Sequence, residues 1–147
     1  WRQGFRDQAK KEFKKLKKNP LFVAGLMLYW GEGDGKIENS LVRLANTDPK
    51  MIQIFIKFLL RVCCTSVEKI KISITLYPDL SEKECKKFWI KTLKIPGSQF
   101  FKTQYIQGKH PTKRLSHGIC SLVVCSRGLK EKIFTWLNLY KEELINN

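Results

Sequence analysis

A short apolar run that stops at three closely spaced glycines is the feature that most constrains this chain. Residues 21–30 carry no charge and no strong helix breaker except Gly25, which predicts a short buried helix. The glycines that follow alternate with Glu32 and Asp34. They predict the end of the helix, because glycine tolerates the positive φ values of a tight C-terminal turn. Two carboxylates then stand at the carbonyl end of a helix, where the dipole disfavours them by up to ~1 kcal/mol. A bound cation would offset that cost.

The end of this run, Trp-Gly-Glu-Gly at residues 30–33, resembles the motif of the LAGLIDADG homing endonucleases. That motif is an apolar helix that ends in a small residue, an acid and a glycine. In the family two such helices pack together at the centre of a dimer or pseudo-dimer, and the last acid of each motif binds the divalent metal that cleaves DNA. The resemblance implies that Glu32 is a catalytic metal ligand and that the cofactor is Mg²⁺ (or Mn²⁺). Asp34 would be a further metal-site residue or would hold the turn.

The sequence holds one copy of the motif and no internal repeat, which in this family implies a homodimer. Met27 stands where the family usually has a small residue, and Trp30 replaces the first acid of the motif. The resemblance places the dimer interface on the motif helix, at Ala24, Gly25, Leu28 and Gly31.

The net charge is +15, because 28 lysines and arginines outnumber 13 aspartates and glutamates. Such an excess points to a polyanionic partner, most simply a nucleic acid, with a membrane surface as the other candidate. No uncharged run approaches the ~18 residues of a membrane-spanning helix, and the start lacks the apolar core of a signal peptide. We therefore expect an intracellular protein, cytoplasmic or nucleoid-associated, with no membrane partner and no small-molecule cofactor. The five cysteines lack a Cys-x-x-Cys pair, which favours buried thiols over a zinc site.

Hydrophobic periodicity predicts an α+β fold in which helices cover one side of a mostly antiparallel sheet. The resemblance implies that this fold is similar to that of the homing endonucleases. The expected order is helix, helix, strand, helix, strand, helix, strand, strand, helix, with the last two strands, 98–107 and 118–126, forming a hairpin. Residues 1–19 predict a basic amphipathic helix, either a solvated face that covers the core or an arm that grips phosphates. Residues 20–147 would form the LAGLIDADG-like domain.

Residues 70–77 alternate between apolar and polar side chains, which predicts a strand with one core face and one polar, cationic face. Such a face can lie in the major groove of DNA. Residues 85–130 contain no acid, and a basic loop lies within them. The predicted DNA-binding residues are Arg43, Lys71, Ser73, Thr75, Tyr77, Lys102, Lys109, Lys113 and Arg114. A lysine near the scissile phosphate is a feature of the family, and Lys102 and Lys113 are the matches that the resemblance offers.

Three functions stay open at this point. The leading hypothesis is a sequence-specific double-stranded DNA endonuclease, a homodimer that cleaves with a divalent metal held by the acid at the end of the motif helix. The first alternative is a catalytically inactive DNA-binding protein or transcription regulator with the same fold. The second alternative is an RNA-binding maturase.

Overall fold

The order of helices and strands in the computed structural model, which describes residues 1–107 and 116–147, is the predicted one. The third helix continues into a π-helix, Phe58–Val62, and short 3₁₀ turns cover Val67–Lys69 and Gly97–Gln99. The main elements are α1 (Arg2–Leu16), α2 (Pro20–Glu32), β1 (Leu41–Asn46), α3 (Pro49–Lys57), β2 (Ile70–Leu76), α4 (Glu82–Leu93), β3 (Gln104–Tyr105), β4 (Ile119–Cys125) and α5 (Arg127–Asn146).

Side-chain caps set several of the helix starts. Asn19 caps α2, because its Oδ1 accepts hydrogen bonds from the backbone N–H groups of Leu21 and Phe22. Asp48 caps α3 and Ser81 caps α4 in the same way. Asp48 therefore has a structural role at the start of α3.

The described strands form one mixed sheet in the order β1-β4-β2-β3. β4 pairs antiparallel with both β1 and β2, so the α+β class is confirmed. β3 pairs with β2, and this pairing is parallel. The predicted hairpin between the last two strands is therefore wrong.

The failure of the hairpin has a local cause in the segment before β3. Phe100 and Thr103 are both buried, whereas Phe101 and Lys102 between them are both exposed. This pattern breaks the alternation that a strand needs, so only two residues of the segment join a regular ladder. β4 takes the central position instead, between β1 and β2.

One face of the sheet is buried and the other is open. Alternate residues of β2 and β4 are buried beneath the helices, and α2, α3 and α5 all contact β1. α1 belongs to the same core, since Ala9 and Phe13 are buried with Phe22 and Trp136. Residues 1–19 are therefore packed around one core with the described part of residues 20–147.

Candidate functional site

The motif helix α2 delivers Glu32 to one edge of the sheet. Glu32 is the last residue of α2, its side chain is exposed, and it makes no hydrogen bond or ion pair with the described residues. The next residue, Gly33, forms an antiparallel bridge with Leu44 of β1, and Asp34 N donates to Arg43 O at 2.9 Å. The chain therefore leaves α2 alongside β1, which is the edge strand, and lies beyond it at this edge of the sheet.

The glycine after Glu32 is required for space and not for a positive φ, which corrects the expectation from sequence. Gly33 has φ −84° and an extended conformation. A Cβ at this position would lie 2.5 Å from Tyr29 Cδ2 and 2.5 Å from Tyr29 O, far inside van der Waals contact. Only glycine lets the chain turn from the helix onto β1 so close to the last turn.

Asp34 holds the loop that follows the helix. Its Oδ1 accepts from Lys36 N at 2.9 Å, and its Oδ2 accepts from Asn39 Nδ2 at 3.1 Å. The bond from Lys36 N, aided by Asn39, lowers the pKa of the Asp34 carboxyl. Both oxygens of Asp34 are engaged in the turn, the second of the two roles that the sequence left open. Glu32 is then the acid of the pair that has no partner among the described residues.

Two cations of α5 that were not among the predicted site residues hold this loop. Arg127 donates to the carbonyl oxygens of Ile37 and Glu38, and Lys130 donates to Leu41 O at 2.6 Å. In the sequence, Arg127 and Lys130 are two of many basic residues. Only their position distinguishes them, because they lie in the first turn of an amphipathic helix, on the side that faces the core.

One chain alone supplies only part of the ligand set that a divalent cation needs. The part of the chain that the structure describes contains no group of three or more histidine, cysteine, aspartate or glutamate side chains that could hold a metal. Mg²⁺ is commonly bound by one or two carboxylates together with water and substrate phosphates. Glu32 supplies one such carboxylate. A second Glu32 from another copy, with phosphate oxygens, would complete a donor set of the right chemistry.

The outward face of α2 carries no charge and includes three of the four predicted interface residues. Ala24 and Leu28 are half-buried, Met27 lies between them, and Gly31 is exposed. No heavy atom lies within 4 Å of where a Cβ of Gly31 would be, so the chain's own packing does not require glycine there.

The fourth predicted interface residue, Gly25, faces the interior. A Cβ on Gly25 would lie 2.1 Å from Phe58 Cγ, so this glycine makes room for the first residue of the π-helix. Its assignment to a dimer interface is therefore wrong. The prediction failed because sequence spacing alone does not show which glycine of a helix faces inward.

Four of the predicted DNA-binding residues lie in rows on the open face of the sheet: Arg43, Lys71, Ser73 and Thr75. Arg43 is exposed, and the other three are half-buried. Tyr77 is half-buried one residue beyond the end of β2. No row contains an acid. The rows are Arg43–Val123–Lys71 and Ala45–Ser121–Ser73, followed by Ile119–Thr75 on β4 and β2 alone.

The lysines proposed to act near the scissile phosphate are not brought to Glu32 by the described residues. Lys102 is exposed, two residues before β3, on the edge of the sheet opposite Glu32. Three strand spacings of about 4.8 Å separate β1 from β3, and the bridge from Gly33 to Leu44 of β1 adds a fourth, so the separation is about 19 Å. A catalytic role for Lys102 beside Glu32 of its own chain does not fit that separation. Lys113, Lys109 and Arg114 lie outside the described residues.

Some basic side chains of residues 1–19 form ion pairs within the chain. Arg6 Nε lies 2.9 Å from Glu131 Oε2, and Lys17 Nζ lies 2.8 Å from Glu143 Oε1. Trp136 Nε1 donates to Ala9 O at 3.0 Å. These contacts favour the interpretation of α1 as a helix that covers the core. Its remaining exposed lysines stay available to phosphates.

Comparison with protein-family models, with curated proteins and with solved structures gives no match for this chain. Among the described residues, no helix is both long enough and apolar enough to cross a membrane.

Proposed function

We propose that this chain is a homodimeric, metal-dependent endonuclease that cuts double-stranded DNA at specific sequences. The observation that carries the proposal is Glu32, an exposed acid that has no partner among the described residues and stands at the end of an otherwise uncharged helix. Such an acid in a chain of charge +15 is placed to act on a polyanion with the help of a cation.

The homodimer follows from the outward face of α2. An apolar stripe on a surface helix is stabilised by burial against a partner, and small residues such as Ala24 and Gly31 allow a close approach. Two α2 helices packed on this stripe would bring the Glu32 side chains of the two subunits together. A divalent cation bound there with phosphate oxygens would supply an activated water and stabilise the leaving oxygen.

The open sheet face is the proposed DNA-reading surface. Arg43 and Lys71 lie in one cross-strand row and suit phosphate oxygens or guanine edges. Ser73 and Thr75 lie further along β2 and offer hydroxyl groups to base edges. In a dimer, two such faces would read two half-sites on either side of the paired Glu32 residues.

The experiment that tests the proposal is a cleavage assay on supercoiled and linear DNA libraries with Mg²⁺ or Mn²⁺. We expect the wild-type protein to cut a defined subset of sequences. Glu32→Gln should abolish cutting while it preserves or slightly improves DNA affinity, because it removes a metal-binding carboxylate and a negative charge beside phosphate. The matched control is Glu38→Gln, which changes another exposed acid of the same region.

Two results would contradict the proposal. If Glu32→Gln cuts as fast as the wild type, Glu32 is not the catalytic acid. If the wild type binds DNA specifically but cuts nothing with either metal, the regulator alternative takes its place.

A further inference from the structure

Lys130 is a fully buried lysine near the start of α5. Lysine is almost never fully buried unless its charge is paired. The ion pairs between described residues do not include Lys130. Its burial therefore needs another explanation than a salt bridge.

The Lys130 ammonium group is satisfied by three oxygens of one loop. It lies 2.6 Å from Leu41 O, 3.1 Å from Asp34 O and 3.4 Å from Asn39 Oδ1. An ammonium has three N–H donors, so each donor has an acceptor. The ring of Phe134 lies 5.4 Å from Nζ and that of Tyr29 lies 5.9 Å away, and both add cation–π attraction.

Of these three oxygens, one belongs to Asp34 near the start of the segment that joins α2 to β1, one to Asn39 near its end, and one to Leu41, the first residue of β1. Asp34 O also accepts from the Tyr29 hydroxyl at 2.6 Å, so the start of the segment is held from two sides. Asn39 is shared, because its amide donates to the Asp34 carboxylate while its Oδ1 accepts from Lys130 and from Leu41 N. One ammonium thus ties the two ends of the segment together.

We infer that Lys130 is a positioning residue for Glu32, acting through this loop. Asp34 is two residues beyond Glu32. The contacts that fix Asp34 therefore also set where the last turn of α2 ends and where the Glu32 carboxylate points. The inference rests on the proposed role of Glu32 as a metal-binding acid. Burial lowers the pKa of Lys130, which agrees with a site that is shielded from water.

The test compares Lys130→Met with Lys132→Met. Lys132 lies on the same helix, is half-buried and pairs with Glu12 at 3.0 Å, so its loss is a matched change that does not touch the loop. Hydrogen exchange of residues 33–41, Mn²⁺ affinity, DNA affinity and single-turnover cleavage are measured for both variants. Thermal unfolding checks that each variant is folded.

We expect Lys130→Met to speed exchange in residues 33–41 and to lower both Mn²⁺ affinity and cleavage by roughly tenfold or more, since a small misplacement of a catalytic group is enough for such a loss. DNA affinity should stay within about twofold, because the open sheet face is unchanged. Lys132→Met should leave all four quantities close to the wild type. If Lys130→Met does not fold, Asn39→Ala makes the same test from the loop side.

Unchanged exchange in residues 33–41 would show that Lys130 does not hold the loop. Faster exchange with unchanged Mn²⁺ affinity would show that the loop does not position Glu32. Either result overturns the inference. A wild-type protein that cuts no DNA would count against the proposed function alone, because exchange and Mn²⁺ affinity still decide the role of Lys130.

Discussion

Gly25 and Gly31 lie on the same helix, but Gly25 faces the core and Gly31 faces outward. Substitutions at these two positions therefore distinguish an effect on folding from an effect on dimerisation. The new Cβ of Gly25→Ala would lie 2.1, 2.3 and 2.7 Å from three atoms of Phe58, a residue that is itself fully buried. Overpacking a core costs about 1–3 kcal/mol, and the better helix propensity of alanine returns up to ~1 kcal/mol. We expect the free energy of unfolding to fall by about 1–2 kcal/mol.

Gly31→Ala meets no heavy atom of its own chain within 4 Å, so the fold should keep or slightly gain stability. The larger change Gly31→Leu should instead block the approach of a second helix. We expect it to raise the dimer dissociation constant at least about tenfold, which corresponds to about 1.4 kcal/mol. Urea unfolding at a fixed protein concentration and sedimentation equilibrium measure the two effects, because dimer stability depends on concentration.

A Gly31→Leu protein that dimerises as tightly as the wild type would contradict the placement of Gly31 at the dimer interface. A Gly25→Ala protein with an unchanged free energy of unfolding and a dissociated dimer would contradict the inward placement of Gly25. In that case Gly25, and not Gly31, would face the partner.

Two further predictions concern the open sheet face and the thiols. Lys71→Ala should change which bases are preferred, at ~1–3 kcal/mol for particular positions of the site, as measured by binding to a DNA library, and a loss that is uniform over all sequences would show that this face does not read bases. Burial raises the pKa of Cys120 to about 12, so at mildly alkaline pH it has little of the reactive thiolate. Mass spectrometry should find that the exposed Cys64 and Cys125 are alkylated first and that Cys120 reacts only after unfolding.

Local patterns in the sequence predicted much of the fold. The alternation in residues 70–77 placed β2 and both of its faces, because the period of a strand is set by neighbouring residues. Residues 47–48 and Ser81 have the sequence contexts of helix caps, and the structure shows that Asp48 and Ser81 accept the capping bonds from the backbone. Each of these predictions depends on residues within a few positions of each other.

The interior contacts of the candidate site depend on residues far apart in the chain, which is why the sequence did not predict them. Lys130 contacts Asp34 across 96 positions, and Arg6 contacts Glu131 across 125. Apart from its position on the core-facing side of an amphipathic helix, nothing in the neighbourhood of Lys130 distinguishes it from the many exposed lysines of this chain. The inward orientation of Gly25 likewise depends on Phe58, a residue of another helix.

The measurement that tests the central claim most directly is a titration with Mn²⁺ followed by electron paramagnetic resonance, which counts free and bound ions without knowledge of the DNA target. The account predicts that the wild-type dimer binds Mn²⁺ and that binding is lost both in Glu32→Gln and in the monomeric Gly31→Leu protein, because the site needs Glu32 from two subunits. Equal Mn²⁺ affinity in all three proteins would contradict a shared metal site at the ends of the motif helices.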